Sequence, residues 1–244
     1  MANPVILSSV THRNLRVITD RGAEYGENIH LVPVIGEELQ RLVVDYPVCL
    51  MKDDETGQFS LCALLGFDRG ENLYLQGNRW RASYIPIHVR RQPFLIGRPA
   101  EQASRGEQSP DAMIGIDLDS KRVQESEGEA LFAADGTRTD YLNEIDALLT
   151  RLMNGIRTTQ AFIDTLSEHG LIEPTQLNVT FGNGDKKTFT GIYTVHDGKL
   201  GELAGNALED LHRKGYLQAS YLILASMGQV RKLIDHRDAL QGKN

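Results

Sequence analysis

The sequence predicts an α+β fold, with a strand-rich N-terminal half packed with a C-terminal helix–hairpin–helix half. Three observations predict it. Short apolar segments separated by turn residues fill the first ~95 positions, as strands do. From Thr139 the apolar residues instead recur every three or four positions, as on a helix. Between two later helical stretches stands Gly182-Asn-Gly-Asp, a two-strand turn signal. A chain of 244 residues accommodates one large domain or two small ones. The change of period divides it into a strand-rich α+β region over 1–138 and a helical region with one β-hairpin over 139–244, or a single co-folded domain spanning both.

Leu15–Thr19 reads as a short strand. His30–Ile35 leads into a helical turn or two from Gly36, with Leu39, Leu42 and Val43 on one face, and Pro47 ends it. Val48–Lys52 and Phe59–Phe67 flank the turn Asp53-Asp-Glu-Thr-Gly and predict a hairpin, and a third strand is expected through Trp80–Tyr84. The small, polar, Pro- and Gly-punctuated run 97–112 reads as a mobile loop, followed by a strand over Met113–Leu118 and a turn at Asp135-Gly136. Leu142, Ile145, Leu148, Leu149, Leu152 and Met153 begin a long amphipathic helix, with a bend expected near Gly155. Gly170 is placed for its C-cap and Pro174 lies beyond. Leu177–Phe181 and Thr188–Val195 form the predicted hairpin. Two or three helices follow over Leu200–Lys214 and Tyr216–Arg237, broken at Gly215 and Gly228.

Composition narrows the function classes. A net charge of -7 opposes nucleic acid and anionic lipid, so no nucleic-acid partner is expected, although Arg213, Lys214, Arg231, Lys232 and Arg237 lie in a helix-turn-helix-like stretch. No run approaches the ~20 apolar residues of a membrane span, and the N-terminus lacks the basic and apolar regions of a signal peptide. The expected compartment is therefore the cytoplasm, with leaderless export to the cell surface as the alternative. Cys49 and Cys62 sit in apolar runs and are expected as buried thiols, a cross-strand disulfide being the alternative. The composition leaves the oligomeric state open.

The order of several segments carries a family likeness. Pro4-Val-Ile-Leu-Ser, His30–Pro33 before Glu37-Glu-Leu, Tyr46-Pro-Val, Leu64-Leu-Gly-Phe and Gly70-Glu-Asn-Leu are followed by Tyr84-Ile-Pro-Ile-His-Val-Arg-Arg-Gln-Pro-Phe. Ile116-Asp-Leu-Asp, Gly128-Glu-Ala-Leu-Phe and Gly170-Leu-Ile-Glu-Pro complete the pattern. Together they resemble the SapC family of bacterial proteins along essentially the whole chain, distinct from the peptide-transport permease of the same name. The resemblance implies a link to a bacterial surface layer or to nutrient uptake, since family members accompany outer-membrane receptors and flavin-dependent halogenase-like proteins. It implies no catalytic residues. The expected function is a non-catalytic binding or assembly protein with a protein partner or a small anionic ligand. The alternative is an enzyme or enzyme accessory in an uptake pathway, with an anion or metal site around Tyr84–Phe94.

Tyr84–Phe94 concentrates the candidate chemistry. Guanidinium groups suit carboxylate and phosphate, and aromatics offer stacking, so Trp80, Tyr84, His88, Arg90, Arg91, Asp117 and Asp119 are the candidate ligand-binding residues. On an extended segment Arg90 and Arg91 point to opposite sides, and one of them is expected either to bind an anion or to pair with Asp117 or Asp119. Those two aspartates, at i and i+2, share a strand face and also form a weak candidate for a hard cation. His12, His30 and His88 are the other weak metal candidates, although no metal-binding motif joins them. No cofactor is predicted, and the nucleophile-elbow, P-loop and dinucleotide-binding motifs are missing. Glu71-Asn-Leu-Tyr-Leu-Gln-Gly resembles a viral-protease recognition site and predicts slow nicking there.

Overall fold

A computed structural model describes residues 3–97 and 113–241. From residue 98 onward, the loop expected over 97–112 lies outside the described residues. The fold is α+β, as the change of hydrophobic period predicts. Two compact units interleave along the chain. The first takes Met1–Glu27, Gly77–Arg79 and Ile87–Asn154, and the second takes Asn28–Gln76, Trp80–Pro86 and Gly155–Asn244.

The first unit is built on a three-stranded antiparallel sheet with Met113–Asp117 between Pro4–Ile6 and Phe94–Gly97. Ile116 lies opposite both Val5 and Phe94, and the central strand buries Ile114 and Ile116. A smaller sheet places Arg16–Val17 between Val123–Gln124 and Glu129–Ala130. Gly128 precedes the last of these at φ +90°, where a Cβ would lie 2.4 Å from the Val17 carbonyl oxygen, so both conformation and space require glycine. Val17, Phe94, Ile114, Ile116, Leu131, Phe132, Leu142, Ile145 and Leu149 form one continuous core. The last three come from the helix Asp140–Glu168, and their three- and four-residue spacing is what turns them inward. The Thr139 hydroxyl, at 3.3 Å, accepts from the Leu142 N–H and caps the helix start.

The second unit holds a five-stranded antiparallel sheet in the order Ile172–Thr180, Lys186–Val195, Val48–Lys52, Phe59–Leu64, Leu31–Pro33. Both predicted hairpins are present and lie side by side. Val48–Leu50 and Leu61–Leu64 are almost wholly buried, so this pair reads as continuous apolar runs rather than alternation. In the tight turn, the Asp53 carboxylate accepts from the Glu55 and Thr56 N–H groups. Cys49 and Cys62 face each other across the paired strands as free, buried thiols, and burial pushes both thiol pKa values up.

The third strand expected through Trp80–Tyr84 is corrected: only Arg79–Trp80 is extended in a ladder, and Leu31–Pro33 takes the place beside Phe59–Leu64. Residues 83 and 84 are tied down by side chains instead, through the Asp45 carboxylate and the Tyr84 hydroxyl.

The long helix runs unbroken from Asp140 to Glu168, 29 residues. Its end has the predicted glycine cap: Gly170 has φ +63°, and the Leu171 N–H reaches back to the Leu166 carbonyl at 2.8 Å. Gly155, where a bend is expected, is where Ile35 packs against the helix. A Cβ there would fall 2.2 Å from the Ile35 Cδ1 and 3.1 Å from its Cβ. The C-terminal helices are Asp197–Gly201, Gly205–Arg213, Tyr216–Ser226 and Val230–Gln241, with the breaks at Gly215 and Gly228 in place.

Two predictions follow from this packing. Gly155→Ala gains about 1 kcal/mol of helix propensity but overpacks against the 1% exposed Ile35, at about 1–3 kcal/mol. The net effect is a lower chemical-denaturation midpoint, partly recovered by adding Ile35→Val, which removes the clashing Cδ1. The second concerns Glu71–Gly77. Leu73 and Tyr74 within it are buried, and the Tyr74 hydroxyl donates to the Asp45 carbonyl at 2.6 Å. A protease must lay such a segment out as an extended strand. The slow nicking expected from the sequence should therefore be confined to the unfolded protein, with cleavage products on a gel expected only under denaturing conditions.

Candidate functional site

The sequence places one cluster of chemistry at Tyr84–Phe94, and the structure divides it between the two units at Pro86/Ile87. Trp80 and Tyr84 belong to the second unit and serve as hydrogen-bond donors in its interior. The Trp80 indole Nε1 donates to the Tyr46 hydroxyl at 2.6 Å, Tyr46 donates to the Tyr84 carbonyl, and the Tyr84 hydroxyl donates to Glu38 Oε1 at 3.0 Å. Beside them the buried Asp45 carboxylate accepts from Ser83 and from Lys232. Burial alone would raise the Asp45 pKa, but these bonds outweigh it and hold the carboxyl below its ordinary range. Desolvation pushes the Tyr46 and Tyr74 hydroxyls up and keeps them protonated. These side chains are engaged in holding the unit together.

His88, Arg90, Arg91, Asp117 and Asp119 belong to the first unit. Two expectations about them are corrected. The arginines do not sit on an extended segment: Ile87–Arg90 is a helical turn, followed closely by the strand from Phe94. Arg90 is exposed, whereas Arg91 is half-buried and donates to the Phe94 carbonyl at 2.6 Å. Asp117 and Asp119 do not share a strand face, because the strand ends at Asp117. Asp117 Oδ1 instead caps the turn that follows, accepting from the Asn3 N–H at 2.8 Å and the Asp119 N–H at 3.2 Å.

Arg91 and Asp117 do meet along one concavity. A cleft of about 380 Å³ is lined by Glu24, Tyr25 and Gly26 from one loop, by Arg91, Gln92, Pro93 and Leu95, and by Asp117, Ser120 and Lys121. Desolvation lowers the Arg91 pKa, as for a guanidinium short of water. Glu24, Tyr25 and Lys121 escape sequence reasoning, since no motif links positions some ninety residues apart.

Behind this cleft lies a buried ion pair that also has no sequence signature. Arg122 is 1% exposed. One of its terminal nitrogens donates to the Ile18 and Asp20 carbonyls at 2.8 and 2.6 Å, and the other reaches Glu27 at 2.7 Å. Its guanidinium stacks 4.5 Å from the Tyr25 ring centre, and Arg21 adds a second pair to Glu27 at 2.7 Å. The loop that presents Tyr25 is thus fastened to the turn that presents Lys121.

The metal candidates are not assembled. Among the described residues, no three His, Cys, Asp or Glu side chains are placed to hold a metal ion. His12 Nδ1 accepts from the Ser8 N–H, and His30 lies in the other unit, its pKa lowered by burial and by Arg69. Each basic residue of the helix-turn-helix-like stretch has an acidic partner: Arg213 and Lys214 pair with Asp210, Arg231 with Asp235, Lys232 with Asp45, and Arg237 with Asp68. No helix is long and apolar enough to cross a membrane among the described residues.

Burial, reinforced by the Arg91 charge, pushes His88 down to about 4 from an ordinary 6.5. Between those values the unfolded chain binds a proton that the folded chain refuses. The stability contributed by neutral His88 is therefore complete above pH 6.5 and is lost as the pH falls towards 4. Urea midpoints across that range should fall with acidification in the wild type, and fall less in His88→Gln.

Neither a curated protein nor a solved structure matches the chain. Residues 7–233 match the SapC family, from just after the strand Pro4–Ile6 to the first turn of the helix Val230–Gln241 and through both units, and the chain belongs to the SapC family.

Proposed function

We propose that this chain is a non-catalytic binding protein linked to the bacterial envelope or to nutrient uptake, and that the cleft beside Arg91 receives the anionic group of a small ligand. One observation carries the reading. Arg91 is a partly desolvated cation held at the cleft wall by a single main-chain acceptor, the Phe94 carbonyl, with no carboxylate paired to it among the described residues. A guanidinium in that state gains most from an incoming carboxylate or phosphate, which supplies charge-assisted bonds and replaces lost hydration. The aromatic and acidic groups of the second-unit network are saturated by one another and favour a scaffold role over a reactive one. Family membership supports the envelope and uptake setting. The proposed compartment is the cytoplasm, with the cell surface as the alternative that cell fractionation distinguishes.

Calorimetric titration with benzoate and with inorganic phosphate tests the site. Binding of at least one probe is expected, weakened about tenfold or more in Arg91→Gln, since a hydrogen bond to a charged group contributes about 1.5–3 kcal/mol. Arg90→Gln, altering the exposed neighbour, should leave it unchanged. No binding, or equal binding by Arg91→Gln, overturns the anion site, and chemical conversion of a bound probe would make the protein an enzyme instead.

A further inference from the structure

The cleft beside Arg91 carries more than a cation. Arg91 and Lys121 line it together with Glu24 and Asp117, two charges of each sign. Opposite charges crowded into one small concavity ordinarily pair off, yet among the described residues no ion pair joins Arg91 or Lys121 to Glu24 or Asp117. Each central charge is held in place by other means. Arg91 is anchored on the Phe94 carbonyl, and Asp117 is anchored through Oδ1 on the Asn3 and Asp119 N–H groups. The neighbouring Tyr25 ring is fixed by the Arg122 guanidinium stacked on it, itself locked by Glu27, Ile18 and Asp20. The result is a wall on which Arg91 and Asp117 are each anchored and, among the described residues, not paired with each other.

From this arrangement we propose that the ligand is a small zwitterion of the α-amino acid class, its carboxylate on Arg91 and its ammonium on Asp117. The proposal rests on the binding-protein reading above and deepens it. A purely anionic ligand would meet Arg91 but would also face Glu24 and Asp117, and like charges across a partly desolvated cleft disfavour it. A purely cationic ligand would meet the converse problem at Arg91 and Lys121. A dipolar ligand satisfies both sets at once. The ~380 Å³ of the cleft lies at the small end of ligand pockets and suits a single amino acid rather than a long peptide. Tyr25 and Leu95 supply the apolar surface for its side chain.

Three probes separate the two charges: L-phenylalanine, N-acetyl-L-phenylalanine, which lacks the ammonium, and L-phenylalaninamide, which lacks the carboxylate. In calorimetric titrations the free amino acid is expected to bind at least tenfold more tightly than either derivative. Asp117→Asn retains an Oδ1 acceptor for the turn but removes the charge, and should erase the preference over the N-acetyl form, weakening the free amino acid while tightening the N-acetyl form. Arg91→Gln should weaken the free amino acid and the N-acetyl form and tighten the amide. Thermal melting checks both variants, and the wild-type series stands on its own if either fails to fold. Equal or tighter binding of N-acetyl-L-phenylalanine overturns the zwitterion proposal while keeping the anion site. Equal or tighter binding of the amide overturns both, and no binding of any of the three overturns the amino-acid proposal.

Discussion

Burying a guanidinium inside a small protein unit is costly unless its donors find acceptors, and in the first unit that requirement governs how the loops are placed. Arg122 meets it at its two terminal nitrogens, with the carbonyls of Ile18 and Asp20 and with the Glu27 carboxylate, drawing residues 18–27 onto the turn at 120–122, while its buried Nε has no partner among the described residues. The ion pair joins the loop's own bonds, the turn Ala23–Tyr25 and the Gly22 N–H donating to Glu27 at 3.0 Å, in holding its shape. Tyr25, clamped under the same guanidinium, inherits that shape. The cleft depends on it, since its three lining segments come from separate parts of the chain and meet there.

The second unit meets a similar requirement differently. Asp45 is 4% exposed, and its charge is balanced by Lys232 and by two donors from Ser83. Around it Tyr46, Tyr74, Trp80 and Tyr84 bring large apolar bodies whose polar tips find partners in or beside the network, so aromatic packing and polar satisfaction are achieved by the same residues. This explains why a stretch as rich in aromatic and charged groups as Trp80–Phe94 attracts a functional reading. Its first half is interior architecture, and only its second half, from Ile87, reaches the cleft through Arg91, Gln92 and Pro93.

Several glycines show how local chemistry and packing combine. Gly170 ends the long helix because its positive φ allows the capping bond, a reason fully local to the sequence. Gly155 reads from the sequence as a bend, but its place is set by Ile35, 120 positions earlier in the chain. The two residues become neighbours only through folding, and no window of sequence holds both.

By itself the sequence determined the α+β class, both hairpins, the long helix with its cap and the family, and it named Arg91 and Asp117 among the candidates that the structure brings to one cleft. These follow from periodicity, turn chemistry and residue type, all short-range properties. Tertiary structure alone decided that the Trp80–Tyr84 stretch is held by Asp45 and Glu38 instead of a strand partner. It also ended the strand at Asp117 and so parted it from Asp119, and it brought Glu24, Tyr25 and Lys121 to Arg91. Those outcomes rest on contacts between residues tens of positions apart, where the cost of burying charge selects the partner, and a linear pattern carries no record of that selection.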